Sequence, residues 1–185
     1  MESRPRDDEL VAEAARGDAV AYEELVRRHQ HVAFRLACVY GAGAAEAQDA
    51  VQEALLKAWR QLGRYDPARA SFRTWLLTIV ANEARSARRS GSRWAARHER
   101  LAGQERASEG AAPSSEVALL QRERASTLIT ALDGLRPGDR EVILLRYGLE
   151  LSERDISEVL RCRPGTVKSR LSRALDRMRE EMPHG

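Results

Sequence analysis

The chain has 185 residues, of which 43% are hydrophobic, 32% charged and only 5% aromatic, with a formal net charge of +3. This length allows one or two domains, and no apolar run approaches the roughly 18 residues that cross a bilayer. The start of the chain, MESRPRDDEL, lacks the apolar core of a signal peptide. We therefore expect a cytoplasmic protein without membrane insertion, in which only local patches of positive charge could bind a polyanion.

Helical periodicity dominates the first ninety residues, and no convincing alternating strand pattern occurs in the chain. A short acidic helix is predicted over 7–16, and Asp18 is positioned to cap a long helix with an apolar stripe over 22–40. Another amphipathic helix is predicted over 44–62. The predicted class is therefore all-α.

The outer face of the helix over 44–62 carries Asp49, Gln52, Glu53 and Lys57. Asp49 and Glu53 stand four residues apart, as a catalytic carboxylate pair could. No nucleophile, phosphate-binding loop or metal motif accompanies them, so an enzyme such as a helical hydrolase is a remote alternative. A solvated face and a protein-contact face remain open.

A third long helix is predicted after Ser71, which is positioned as its cap, with Phe72 and Trp75 on its buried stripe. A different face carries hydroxyl, amide and guanidinium groups three or four residues apart. Such groups can bond base edges and phosphates, although a solvated polar face is an equal alternative from this helix alone. The residues of this face are Thr74, Thr78, Asn82, Arg85 and Arg89.

The apolar pattern collapses after residue 90 and resumes at 116, which predicts a flexible linker over 91–115. Helical pattern then covers 116–132 and a further helix that opens at Pro137. The chain therefore divides into two small helical domains, 7–90 and 116–182.

The last thirty residues predict two helices joined by a tight turn. Ser152 stands as the cap of the first helix, and Pro164 occupies the first position of the second, where its missing N–H costs nothing. From Arg161 to Arg179 there are seven basic residues and one acid. This is the pattern of a helix-turn-helix with a basic outer face. A solvated basic face on an ordinary helical hairpin is the alternative.

Cys38 and Cys162 lie far apart and neither has metal-ligand spacing. In a reducing cytoplasm we expect two thiols and regard a disulfide as the weaker alternative. The sequence predicts no metal, no cofactor and no enzymatic activity.

Three blocks resemble bacterial sigma factors, in particular the two-domain extracytoplasmic-function (ECF) branch of the sigma-70 family. They are DAVQEALLKAW over 49–59, SFRTWL over 71–76 with Ile79 and Asn82, and PGTVKSRLSRA over 164–174. Their order matches the family along nearly the whole chain. The resemblance implies a factor that binds core RNA polymerase and directs it to promoters, without catalysis of its own.

The resemblance also assigns roles to residues. Those implied to dock on the β′ clamp helices are Asp49, Gln52, Glu53 and Lys57. Those implied to read the −10 element, where a flipped base would enter a pocket beside Asn82, are Arg64, Ser71, Arg73, Thr74, Thr78, Asn82 and Arg85. Those implied to bind the −35 element are Arg163, Thr166, Lys168, Ser169, Arg170, Ser172 and Arg173.

Further partners follow from the same resemblance. The helix around 142–147 is implied to contact the flap of the β subunit, and an anti-sigma factor is a possible partner. The block over 71–76 departs from housekeeping sigma factors, since its aromatic residues, Phe72 and Trp75, both lie on the apolar stripe. The rival interpretation is a stand-alone helix-turn-helix regulator that binds DNA without polymerase.

Overall fold

The computed structural model describes residues 5–40, 44–98, 127–128 and 130–181, with the side chains of 90–98 excepted. All regular elements within these ranges are helical, as predicted. The first region contains α1 (Asp7–Ala15), α2 (Ala19–Val39), α3 (Ala44–Gln61), a 3₁₀ turn (Leu62–Arg64) and α4 (Phe72–His98). The second contains α5 (Pro137–Ile143), a π-helical turn (Leu144–Gly148), α6 (Glu153–Leu160) and α7 (Pro164–Glu181).

The predicted helix starts are confirmed by hydrogen bonds of their capping side chains. Asp18 accepts from amides in the first turn of α2. The Ser71 hydroxyl accepts from the amide of Thr74 over 3.2 Å, and the Ser152 hydroxyl accepts from the amide of Asp155 over 3.1 Å. Each bond satisfies an N–H that has no partner within its helix.

The end of α4 differs from the expectation. The helix continues to His98, past the point where the apolar pattern is lost and into the predicted linker. Alanine and arginine, which are frequent here, are strong helix formers and do not need an apolar face to continue a helix. The remainder of the predicted linker, 99–115, and most of the helix predicted over 116–132 lie outside the described residues.

The core of the first region lies between α2, α3 and α4. Leu25 and Leu36 of α2 and Leu76 of α4 are fully buried. The buried face of α3 consists largely of alanines, whose small side chains let the helix backbones approach closely. These residues are Ala47, Ala50, Ala54 and Ala58.

The second region is a helix-turn-helix, as the sequence predicts. Arg161 ends α6 in the left-handed conformation with φ of 50°. The Ser157 hydroxyl donates to the carbonyl of Cys162 over 2.7 Å and holds the turn against α6. Ile156, Val159 and Val167 are fully buried and bring α6 and α7 together.

The two regions pack against each other through α4 and α6. This contact places the start of the helix-turn-helix beside the polar face of α4. No helix among the described residues is long and apolar enough to span a bilayer.

Candidate nucleic-acid and polymerase interfaces

The outer face of α7 is open to solvent. Val167, Leu171 and Ala174 point into the core, so the residues between them face outwards on a helix of 3.6-residue period. Thr166 and Arg170 are half-buried. The predicted −35 residues that are exposed are Arg163, Lys168, Ser169, Ser172 and Arg173.

Two arginines of this face lie next to α5. The Arg173 guanidinium donates to the carboxylate of Asp139 over 3.2 Å, and Asp139 is only 7% exposed. The Arg170 guanidinium lies so close to Gly138 that an added Cβ there would stand 3.3 Å from its Cζ. Arg173 is therefore held by an ion pair, and it remains 55% exposed for other contacts. Sequence reasoning missed Asp139, whose only signal was an acid in the first turn of α5 (Pro137–Ile143).

The predicted −10 residues divide between exposed and covered positions. Arg64 and Ser71 are exposed, and Thr78 and Asn82 are half-buried. Thr74 is only 2% exposed. The second region packs on part of the polar face of α4. The buried residues of that face lie at this contact.

Thr74 and Asp155 form the central contact between the two regions. The Thr74 hydroxyl donates to the Asp155 carboxylate over 2.7 Å, and the Ser152 hydroxyl donates to the other oxygen of the same carboxylate over 2.5 Å. Burial raises the pKa of Asp155, but the hydrogen bonds from Ser152 and Thr74 outweigh it, and the net pKa lies below the ordinary value. The carboxylate is therefore ionised at neutral pH and accepts both bonds.

Arg85 makes a second contact between the regions. Its guanidinium donates to Glu141 of α5 over 3.0 Å and to the hydroxyl of Tyr40 over 2.8 Å. The same group lies 4.9 Å from the centre of the Tyr40 ring. Burial, followed by the nearby Glu141 carboxylate, raises the pKa of Tyr40. An arginine predicted to hold a phosphate is thus paired with a carboxylate of the other region.

Backbone carbonyls of the second region accept further hydrogen bonds from the first. Arg73 donates to the carbonyl of Leu149 over 2.9 Å, and Arg35 of α2 donates to the carbonyl of Gly148. In the opposite direction, Arg154 donates to the carbonyl of Arg69 over 3.3 Å. These bonds join the same two regions as the Thr74–Asp155 contact.

A cleft of about 810 Å³ lies next to this contact, between the 64–70 loop, α4 and the turn of the helix-turn-helix. Trp75 and Thr78 of α4 line it. Its lining carries four arginines from both regions and two acids, Asp66 and Glu158, an excess of positive charge that is favourable for an anionic partner. These basic residues are Arg64, Arg69, Arg161 and Arg163.

The outer face of α3 is exposed as predicted at Asp49, Gln52 and Glu53. Lys57 is half-exposed and pairs with Glu83 of α4 over 2.6 Å. Leu56, which sequence reasoning missed, lies on the same helix and is 51% exposed. Single exposed leucines are common on protein surfaces, but a leucine beside polar residues supplies the apolar area that interfaces bury. Its departure from the apolar stripe of α3 was the available signal.

Both cysteines are free thiols, Cys38 exposed and Cys162 half-buried. Within the described ranges, no group of three or more His, Cys, Asp or Glu side chains is placed to hold a metal ion.

Comparison with known proteins follows the same division of the chain. Residues 25–94 match the model of Sigma-70 region 2, and residues 126–178 match that of Sigma-70, region 4. The RNA polymerase sigma-H factor of Pseudomonas aeruginosa is 34% identical over 185 residues, covering 94% of this chain and 92% of that protein. The ECF RNA polymerase sigma factor SigC of Mycobacterium tuberculosis is 33% identical, covering 95% and 93%. The chain belongs to the ECF branch of the sigma-70 family.

Solved structures agree with this membership. CnrH, in complex with the cytosolic domain of CnrY, has 27% identity and a TM-score of 0.66, covering 94% of this chain and 95% of that one. The sigma factor RpoE from Bartonella quintana, in complex with the anti-sigma factor NepR, has 25% identity and a TM-score of 0.62, covering 86% and 95%. In this ECF sigma factor, the region 2 match contains α3 and most of α2 and α4, and the region 4 match contains α5, α6 and most of α7. Family membership favours an initiation factor that directs polymerase to promoters over a stand-alone regulator.

Proposed function

We propose that this sigma factor binds core RNA polymerase in the cytoplasm and directs it to promoters whose −10 and −35 elements it reads, without catalysis of its own. The observation that carries the proposal is the open basic face of α7 on a helix-turn-helix, in a chain that matches region 2 and region 4 in family order. An α-helix of this kind fits the major groove of DNA.

The −35 element is assigned to α7. Lys168, Ser169 and Ser172 are exposed. The lysine has a long, flexible side chain and the serines carry hydroxyl groups, and both types can bond base edges. Arg170 lies against Gly138 and Arg173 is paired with Asp139, and both guanidinium groups suit contacts with phosphates on either side of the groove. The first group would then provide sequence discrimination and the second affinity.

The −10 element is assigned to the 64–71 loop and the polar face of α4. Arg64 and Ser71 are exposed at the loop, and Thr78 and Asn82 follow along the helix. Extruding a base from a duplex costs a few kcal/mol, which contacts in such a pocket must offset. Phe72 is 2% exposed and belongs to the core, so the polar residues rather than this aromatic ring would contact the strand.

Core polymerase is assigned to the exposed face of α3. Asp49 and Glu53 provide negative charge, and Leu56 provides the apolar area that protein interfaces bury at their centre. The segment around 142–147, in which Tyr147 is 60% exposed, is assigned to the β flap. Because RpoE is bound by an anti-sigma factor in its solved structure, we also propose an anti-sigma factor as a partner of this chain.

Run-off transcription with purified core enzyme and a genomic promoter pool tests the proposal. We expect a defined set of transcripts that requires this protein and is lost when Lys168, Ser169 and Ser172 are replaced together by alanine. Transcription that is independent of the protein would contradict the proposal. Sequence-specific binding of isolated duplex DNA, with no effect on core enzyme, would instead identify a stand-alone regulator.

A further inference from the structure

Asp139, in the first turn of α5, is a buried acid beside the basic face of α7. It is only 7% exposed, and its carboxylate accepts a hydrogen bond from the Arg173 guanidinium over 3.2 Å. An ionised carboxylate withdrawn from water is costly unless a cation and hydrogen bonds compensate it. Arg173 supplies that compensation from the neighbouring helix.

The charged side chains nearest to this pair in the chain have other partners. Arg140, which follows Asp139, pairs with Asp133 over 2.6 Å. Arg177, one turn after Arg173, pairs with Glu181 over 3.1 Å. Asp139 therefore joins α5 to α7 through Arg173 and not through a cation of its own helix.

The two members of the pair differ in their access to solvent. Asp139 is buried, whereas the Arg173 side chain is 55% exposed. A guanidinium group is planar and carries five N–H donors, so a bond to one carboxylate leaves further donors available. The acid holds the group from inside the domain, and the remaining donors of Arg173 lie on the face of α7.

We propose that Asp139 is a positioning residue for promoter binding, which holds the Arg173 guanidinium in the orientation that meets a phosphate of the −35 element. This inference rests on the proposed function for the assignment of α7 to DNA. A mobile arginine loses rotamer freedom when it binds a phosphate, and one that an ion pair already holds loses less. By charge alone, an acid at this face would repel phosphates and weaken binding. Positioning and repulsion therefore predict opposite effects of removing the Asp139 side chain.

The test compares two substitutions that make the same change in charge. Asp139→Asn and Asp139→Ala both remove the carboxylate, but the asparagine carbonyl can still accept a hydrogen bond from Arg173. Each is made with Arg173 present and again with Arg173→Ala, so that no variant carries a buried carboxylate without its cation. Circular dichroism and thermal melting establish that all of these variants fold.

The orientation of Arg173 is measured first, without DNA or polymerase. Nitrogen-15 relaxation of the Arg173 Nε–H group, assigned by its loss in Arg173→Ala, gives the order parameter of the guanidinium end. We expect a lower order parameter in Asp139→Ala than in wild type, with Asp139→Asn between them. Equal order parameters in wild type and Asp139→Ala would overturn the inference, whatever the outcome of the transcription assay.

DNA binding is measured next with a fluorescein-labelled duplex of about 20 base pairs of random sequence, since phosphate contacts do not depend on base sequence. With Arg173 present, we expect Asp139→Ala to bind about threefold to tenfold more weakly than Asp139→Asn, the loss that immobilising one long side chain causes. With Arg173→Ala, the two variants should bind alike.

Three results of the binding measurement would overturn the positioning role. They are equal affinity of the two variants while Arg173 is present, a difference that persists in the Arg173→Ala background, and no binding of the duplex by any variant. The run-off assay, which uses core enzyme and promoters, decides the proposed function separately.

Discussion

The hydroxyl of Thr74 and the carboxylate of Asp155 lie 2.7 Å apart and are separated by 81 residues of chain. The Asp155 carboxylate also accepts a hydrogen bond from the hydroxyl of Ser152, the residue that caps α6. One carboxylate thus completes the start of the helix-turn-helix and attaches it to α4. The local stability of region 4 and its position on region 2 therefore both depend on the side chain of Asp155.

A double-mutant cycle on Thr74→Val and Asp155→Ala should give a coupling energy of about 1.5–3 kcal/mol in urea unfolding, as for a hydrogen bond to a charged group. A second cycle, on Ser152→Ala and Asp155→Ala, measures the coupling energy of the capping interaction at the start of α6. Because the pKa of Asp155 is lowered, its contribution is present above the ordinary value and lost as pH falls through the lower folded value. The coupling should therefore be the same at pH 8 and pH 5. Additive effects of the two substitutions would contradict the contact.

Lys168→Ala should reduce discrimination at the −35 element by about 1–3 kcal/mol, because a side chain on a base edge carries sequence information. The measurement is run-off transcription from promoters that differ at single −35 positions. Arg179→Ala, an exposed cation at the far end of α7 that pairs with Asp176, is the matched control. A uniform loss across all promoters would reassign Lys168 to a phosphate.

Asp49→Arg combined with Glu53→Arg should abolish the binding of core polymerase while the protein remains folded. Reversal of two charges at an interface places like charges together and costs several kcal/mol. Retention on immobilised core enzyme is the measurement. Glu13→Arg with Glu23→Arg makes the same change in net charge at exposed sites away from this face; equal retention of both variants would remove α3 from the interface.

Leu56→Ser should weaken core binding by about tenfold, since apolar anchors at the centre of an interface dominate its affinity. Its effect on unfolding should stay within about 0.5 kcal/mol, as for other exposed positions. Val20→Ser is the control, because Val20 is 74% exposed on α2. The prediction fails if titration of labelled core enzyme yields the same affinity for both variants.

Tyr22→Phe should lower the free energy of unfolding by about 1–2 kcal/mol, because the Leu55 carbonyl then loses its bond from the Tyr22 hydroxyl. Burial raises the pKa of Tyr22 to about 12. The contribution of this tyrosine is therefore complete below its ordinary value near 10 and is lost as pH rises through about 12. Unfolding curves should separate wild type from the variant clearly at pH 8 and much less at pH 11, and ultraviolet titration should show one high-pH tyrosine fewer.

Much of the fold could be predicted from local patterns. Caps at Asp18, Ser71 and Ser152 and the proline that opens α7 act within a few residues, so their effects are visible in the sequence. The continuation of α4 to His98 could not be read from apolar periodicity, because helix propensity maintains that segment after the buried stripe has ended.

The candidate sites divide in the same way. The exposure of Lys168 and Ser172 follows from the 3.6-residue period of α7. The exposure of Asp49 and Glu53 follows from the same period in α3. Leu56 and Asp139 were missed, since the exposure of an apolar residue and the burial of an acid depend on which neighbours pack beside them.

The amino-acid sequence by itself determined an all-α chain with a basic helix-turn-helix and the motif blocks of a sigma factor, because these depend on spacings within single helices. Only the tertiary structure decided that region 4 rests on α4, with Thr74 covered by Asp155 and Arg85 by Glu141. Those pairs join residues far apart in the chain, and no periodic pattern specifies which polar face meets solvent and which meets another helix. The physical reason is that hydrogen-bond donors on an amphipathic helix are equally satisfied by water, DNA or a neighbouring carboxylate, so packing alone selects among them.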